Sequence, residues 1–86
     1  MVTVQWTRKA RKQLLSIDTR YRKAINEKVN QLETFPAVKL DIKKLHDLDN
    51  QYRLRVGEYR IIFELTDGEP VICSIMAVKR RTSTTY

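Results

Sequence analysis

The chain has 86 residues, of which 42% are hydrophobic and only two each are glycine and proline, a composition typical of a folded protein. Seventeen lysines and arginines against ten acidic residues give a net charge of +7, which favours a polyanionic partner such as nucleic acid. One cysteine, Cys73, and one histidine, His46, exclude an internal disulfide, a cysteine-rich metal site and a catalytic histidine pair. No apolar stretch approaches the roughly 20 residues of a membrane span, and no signal peptide is apparent. We therefore expect a single domain over residues 1–86, located in the cytoplasm.

The first half of the chain predicts a strand followed by two helices. Apolar and polar residues alternate over residues 2–6, as in a half-buried strand, and Thr7 can then cap a basic amphipathic helix. Asp18 can cap a second helix, which closes at residues 35–36 and carries an apolar stripe in which Tyr21 is expected to belong to the core. The first helix exposes four cations that could contact phosphate, although a solvated basic face also explains them: Arg8, Lys9, Arg11 and Lys12.

The second half predicts an antiparallel sheet. Residues 37–50 show no clean period and are expected to connect the helices to the sheet. Residues 52–56 and 59–65 alternate around Gly57-Glu58, which indicates a β-hairpin. The nearly continuous apolar run over residues 71–78 predicts a central strand covered on both faces. The predicted fold is α+β in the order β-α-α-β-β-β, with a helical hairpin packed on a small, mainly antiparallel sheet.

The hairpin is predicted to gather arginines on one face of the sheet. Residues two apart in a strand share a face, so Arg53 and Arg55 project away from the apolar side and Arg60 joins them from the next strand. Three further cations follow the predicted last strand and can extend this patch: Lys79, Arg80 and Arg81. Like charges on facing strands destabilise a sheet, so the set suggests a bound anion such as phosphate, while each arginine alone could be a solvated surface charge.

The other side chains limit the chemistry available at this face. The two glycines are explained by turns, and the nearby Asp41, Asp47 and Asp49 fit an acidic loop better than a magnesium site. A nuclease of this composition would cut RNA, because the 2′-hydroxyl is an internal nucleophile and arginines can stabilise the charge of a phosphorane-like transition state. A tyrosine beside several cations, such as Tyr86, could act as a base because cations favour its phenolate.

Residues 52–63, the run Val78–Arg81 and the terminal Tyr86 resemble the RelE/ParE superfamily of bacterial toxins, and the basic residues resemble its RNA-cleaving RelE branch. The resemblance covers essentially the full chain. It implies the toxin of a type II toxin-antitoxin system, a metal-independent endoribonuclease without cofactors that cuts mRNA in the ribosomal A site. The implied cleavage is by 2′-hydroxyl attack and leaves a 2′,3′-cyclic phosphate and a 5′-hydroxyl. The implied partners are a cognate antitoxin and the ribosome with its 16S rRNA, without a membrane or a small-molecule cofactor.

The resemblance also implies roles for individual residues. Arg53 and Arg55 would orient and help to activate the nucleophile, Arg60 and Arg80 would stabilise the phosphate, and Tyr86 would stack on a base or serve as the base. The prototype of the RelE branch has lysines at the positions of Arg53 and Arg55, and arginine is a poorer proton carrier than lysine. The residues expected to bind RNA or the ribosome are Lys79, Arg81, Arg8, Lys9, Arg11 and Lys12.

Two other functions are compatible with the same sequence. A ParE-like protein would use this fold to poison DNA gyrase, without a catalytic phosphate site. A non-catalytic nucleic-acid-binding module would use the basic face only to hold a phosphate backbone.

Overall fold

The structure is a computed structural model that describes residues 2–45 and 50–80. Its elements in chain order are β1 (Thr3–Trp6), α1 (Arg8–Leu15), α2 (Thr19–Asn30), a 3-10 helix (Gln31–Thr34), β2 (Ile42–Lys44), β3 (Gln51–Val56), β4 (Tyr59–Thr66) and β5 (Ile72–Arg80). Within these described ranges, no helix is both long and apolar enough to cross a membrane.

The two predicted helices are confirmed, and each begins at a side chain that the sequence indicates. The backbone N–H of Ala10 donates to Thr7 Oγ1 at 3.1 Å, and the Thr7 hydroxyl donates to the Ile75 carbonyl at 2.8 Å. This hydroxyl therefore caps α1 and also ties the start of the helix to β5. At the start of α2, the backbone N–H of Arg20 donates to Asp18 Oδ1 at 2.9 Å, which lowers the pKa of that carboxyl.

The strands form one five-stranded sheet in the order β1-β5-β4-β3-β2. β1 is parallel to β5 and the other pairs are antiparallel, so the predicted α+β class with a mainly antiparallel sheet is confirmed. The prediction of a plain connection over residues 37–50 is wrong, because β2 lies within it and pairs with β3. With three residues, two of them exposed lysines suited to a sheet edge, β2 is too short to show an alternating pattern.

The core lies between the helices and one face of the sheet. The helical side contributes Ala10, Leu14, Ile25, Val29 and Leu32. The sheet contributes Leu54, Tyr59, Ile61, Phe63, Cys73, Ile75 and Val78, with Val2 at the start of the chain. Tyr21 was predicted in the core, but it is 46% exposed and packs at the rim against Tyr59, with ring centroids 5.7 Å apart.

A β-bulge in β5 decides which of its side chains reach each face. Ile62 pairs with Ala77 whereas Phe63 pairs with Ile75, so Met76 is an extra residue in β5. Ile75, which precedes the bulge, faces the helices. After the bulge, Val78 faces them and pairs with the core residue Ile61. β5 is an interior strand as predicted, but the helices cover only one of its faces.

Candidate nucleic-acid interface

The sheet face away from the helices carries a row of cations across three strands. Arg55 on β3 lies opposite Arg60 on β4, and Arg60 lies opposite Lys79 on β5. Arg60 and Lys79 are exposed, and the Arg55 side chain is 37% exposed. With Arg53, which shares the orientation of Arg55 on β3, these residues are called the cationic face. The structure thus confirms that the three hairpin arginines share one surface.

A second row beside the first gives the cationic face an apolar floor. It runs from Lys43 at the sheet edge through Arg53 and Ile62 to Ala77. The Arg53 side chain is only 17% exposed, and Ala77 is buried although it is on the open side of the sheet. Ala77 and the half-buried Ile62 are therefore the apolar members of this row, next to the cations of the first row.

Asp41 is paired with both arginines of β3. Its Oδ1 lies 3.3 Å from Arg53 Nη2, its Oδ2 lies 3.8 Å from Arg55 Nε, and its carbonyl accepts from the Arg55 backbone N–H at 2.9 Å. The Asp41 side chain is 55% exposed, and exposed ion pairs contribute about 0–1 kcal/mol. A phosphate with two anionic oxygens can therefore compete with this carboxylate for the guanidinium groups.

Two nitrogen atoms in this site have unmet hydrogen-bonding capacity. The Nε atoms of Arg53 and Arg55 are buried and have no hydrogen-bond acceptor among the described residues. The 3.8 Å separation of Arg55 Nε from Asp41 is an ion-pair contact that is too long for a hydrogen bond. Buried donors without acceptors are rare in folded proteins, so the two N–H groups are available to water or to a ligand with acceptor oxygens.

Arg80 does not lie on the cationic face, in contrast to the prediction. It is the last residue of β5 and does not follow that strand, and it pairs with Tyr59 on the helix side of the sheet. Its Nη2 is 3.3 Å from Glu58 Oε2, and it lines a cleft with Tyr21 and Tyr59. The bulge at Met76 causes this reversal, since it exchanges the orientations of Lys79 and Arg80. The predicted catalytic role of Arg80 stays a prediction.

The predicted contact residues of α1 are not gathered at the cationic face. The four cations of α1, Arg8, Lys9, Arg11 and Lys12, are all exposed. Helix α1 packs on the opposite side of the sheet through Ala10 and Leu14, so these cations form a separate basic surface. Arg81, Tyr86 and His46 lie outside the described residues.

Gln13 also contributes to this region, although no sequence pattern identified it. Its Oε1 accepts from the backbone N–H of Val78 at 2.7 Å. Strand β1 pairs with β5 only as far as Trp6 and Ile75, so Gln13 supplies the next acceptor along the edge that β1 leaves uncovered. The side chain thereby holds the backbone directly before Lys79. A glutamine on the polar side of a basic helix gives no signal from which this contact could be predicted.

No ready metal site is found in the part of the chain that the structure describes, since no three His, Cys, Asp or Glu side chains there are grouped so as to hold an ion. Cys73 is buried, which raises the pKa of its thiol to about 12. The charged groups that the cationic face offers are guanidinium and ammonium groups.

Residues 4–84 match the family described as the ParE toxin of the type II toxin-antitoxin system, parDE. The chain belongs to this family and so to the RelE/ParE toxin superfamily, as the motif over residues 52–63 predicted.

Among the proteins that this chain resembles, several carry the name RelE. The chain is 42% identical over 50 residues to toxin RelE3 of Methanocaldococcus jannaschii, an alignment that spans 58% of this chain and 56% of that protein. It is similar to a chain in the RelE-RelB complex of Pyrococcus horikoshii, with 25% identity, a TM-score of 0.78 and coverage of 96% and 98% of the two chains. For the RelB-RelE antitoxin-toxin complex of Methanococcus jannaschii, the identity is 31%, the TM-score is 0.70 and the coverage is 88% of each chain.

Proposed function

We propose that this chain is a toxin that cleaves mRNA on the ribosome, acting as an endoribonuclease through the 2′-hydroxyl of its substrate. The observation that carries the proposal is the cationic face, in which buried N–H groups of Arg53 and Arg55 have no acceptor within residues 2–45 and 50–80 and lie beside the exposed Arg60 and Lys79. The relatives named RelE support a place in the RelE branch, whose resemblance implies this activity. A phosphodiester supplies the acceptor oxygens and the negative charge that this arrangement lacks.

The proposed reaction needs little beyond orientation and charge stabilisation. The 2′-oxygen attacks the adjacent phosphorus, the bond from phosphorus to the 5′-oxygen breaks, and the products are a 2′,3′-cyclic phosphate and a 5′-hydroxyl. Arg53 and Arg55 exchange the Asp41 carboxylate for the non-bridging phosphate oxygens and hold the phosphate for in-line attack. Arg60, between Arg55 and Lys79, stabilises the charge that builds up in the transition state, a role worth about 10²–10³ in rate for a single donor.

Residues away from the cationic face have supporting roles in this proposal. Arg80, two-thirds exposed at the end of β5, contacts a neighbouring phosphate, and its ion pair with Glu58 is weak enough to be displaced. The basic surface of α1 contacts ribosomal RNA. Arg81 adds to the RNA contacts, and Tyr86 stacks on a base near the cleaved bond.

A cognate antitoxin is the second proposed partner. The solved relatives named above are complexes of RelE with RelB. A toxin with a net charge of +7 favours a partner with a complementary acidic surface, which would block RNA by covering the cationic face. Translating ribosomes and such an antitoxin would meet this protein in the cytoplasm.

Inhibition of DNA gyrase is the second candidate function, because the matching family is described as the ParE toxin. Primer extension on messages from cells that express the chain separates the two functions. We expect discrete, codon-phased cuts in translated messages, and their loss in an Arg60→Ala variant produced at the same level. Intact messages accompanied by DNA breaks would instead establish gyrase poisoning. If neither cut messages nor DNA breaks are observed, non-catalytic binding is the remaining function.

A further inference from the structure

The proposed reaction requires a proton that the arginines of the cationic face cannot supply. When the bond from phosphorus to the 5′-oxygen breaks, the leaving oxygen must be protonated to become a hydroxyl. A guanidinium group keeps its proton throughout the accessible pH range, whereas an alkylammonium group is charged at neutral pH and can release one. Among the described cations of this face, the groups that can donate this proton are therefore the lysines near Arg53, Arg55 and Arg60.

The bulge in β5 places an ammonium group beside Arg60, at one end of the row of cations. Without the bulge, regular alternation through Met76 would have put Arg80 on the cationic face and Lys79 on the helix side. With the bulge, Lys79 lies directly opposite Arg60, which in turn lies opposite Arg55. Lys43 also lies on this side of the sheet, but it belongs to the neighbouring row, at the sheet edge beside Arg53.

Two features suit Lys79 to proton donation. Its side chain is exposed, so it can reach a bound phosphodiester and can be reprotonated by water. The hydrogen bond from the Val78 backbone N–H to Gln13, at 2.7 Å, fixes the backbone immediately before it. A fixed backbone under a mobile ammonium group provides the positioning that general acid catalysis requires.

We propose that Lys79 is the general acid that protonates the leaving 5′-oxygen, a role that rests on the proposed RNA cleavage. The 2′-oxygen forms its bond to phosphorus while its proton passes to solvent. The phosphorus–5′-oxygen electron pair leaves with the 5′-oxygen, which takes a proton from the Lys79 ammonium. The neutral amine then regains a proton from water, so charge and atoms balance and no other reactant is needed.

A substrate with a better leaving group tests this role directly. The cleaved bond is first mapped on programmed ribosomes with ordinary mRNA, and an mRNA with sulfur in place of the 5′-oxygen of that bond is then compared. A thiolate leaves without protonation, so the sulfur substrate does not need a general acid. The Lys79→Arg variant keeps the positive charge but cannot transfer a proton to the leaving oxygen. We expect it to slow single-turnover cleavage of the oxygen substrate by about 10²-fold or more. On the sulfur substrate, the same variant should approach the wild-type rate.

Two variants serve as controls for this experiment. Arg60→Ala should lose activity on both substrates, because phosphate charge develops in either reaction. Lys23→Arg, on the exposed surface of α2, should behave as the wild type on both. Near-wild-type cleavage of the oxygen substrate by Lys79→Arg, or an equal loss on both substrates, would overturn the assignment of Lys79. Failure of the wild type to cleave either substrate would overturn the proposed function itself.

Discussion

Replacement of Arg60 by glutamine should stabilise the fold while it removes activity. Arg60 lies between Arg55 and Lys79, so its charge faces a like charge on each side. It takes part in none of the ion pairs between described residues. Glutamine keeps most of the length and polarity of the side chain, so the substitution removes mainly the two repulsions.

The gain in stability follows from the spacing of paired strands. Charges on directly opposed side chains lie roughly 6 Å apart, at which distance two unit charges in water repel by about 0.7 kcal/mol. Screening at physiological salt halves this to about 0.3 kcal/mol per pair. For the two neighbours of Arg60, the free energy of unfolding should rise by about 0.6 kcal/mol, which for a chain of this size raises Tm by roughly 2–5 °C.

Urea denaturation followed by circular dichroism, at 0.1 M and 1 M NaCl, measures this effect. The gain for Arg60→Gln should fade at 1 M NaCl because salt screens the repulsion. Lys39→Gln, on an exposed loop outside the sheet, is the matched control and should change stability by less than the sheet variant. If Arg60→Gln is less stable than the wild type at 0.1 M NaCl, the row of Arg55, Arg60 and Lys79 does not cost folding stability, and the argument that it is kept for an anion is refuted.

Three further predictions concern the framework of the site. Thr7→Ala should lower the free energy of unfolding by about 1–2 kcal/mol in urea titrations, because the hydroxyl caps α1 and bonds to β5, whereas Thr7→Ser should be close to the wild type. Gln13→Leu leaves the Val78 N–H without its acceptor and should lower the free energy of unfolding by about 1–3 kcal/mol. Gln13→Glu keeps an acceptor and should lower it by less, so equal losses in the two variants would contradict the role of the hydrogen bond. Because burial raises the pKa of Cys73 to about 12, iodoacetamide at pH 8 should label the thiol slowly in the native protein and rapidly in urea, and fast native labelling would show that the thiol is accessible.

The predictable part of the fold is the part with regular alternation or clear caps. Thr7 and Asp18 are strong helix-capping residues, and both caps are observed. Residues 52–65 alternate cleanly around Gly57, whose φ of +58° suits the first position of a tight hairpin turn. The shared orientation of the three hairpin arginines follows from that alternation alone.

The parts that could not be predicted depend on pairing between distant segments. β2 exists because β3 offers it hydrogen-bonding partners, which its own three residues do not reveal. The bulge at Met76 is hidden because apolar residues precede and follow it, so no polar residue marks the change of face. Asp41 was expected in an ordinary acidic loop. It pairs with Arg53 and Arg55 because it directly precedes β2, whose pairing with β3 brings it to the sheet. Because of the bulge, Arg80 does not join the patch that it was predicted to extend, whereas the hairpin arginines share one face as predicted.

The most direct test of RNA cleavage at the cationic face is the chemistry of the cut ends. Purified protein is incubated with mRNA on programmed ribosomes, and the 3′ ends of the upstream fragments are analysed for the wild type and for Arg60→Ala. The account predicts 2′,3′-cyclic phosphate ends from the wild type, formed at least about 10²-fold more slowly by the variant. Uncut mRNA with the wild-type protein, 3′-hydroxyl ends, or equal rates for the two proteins would contradict it.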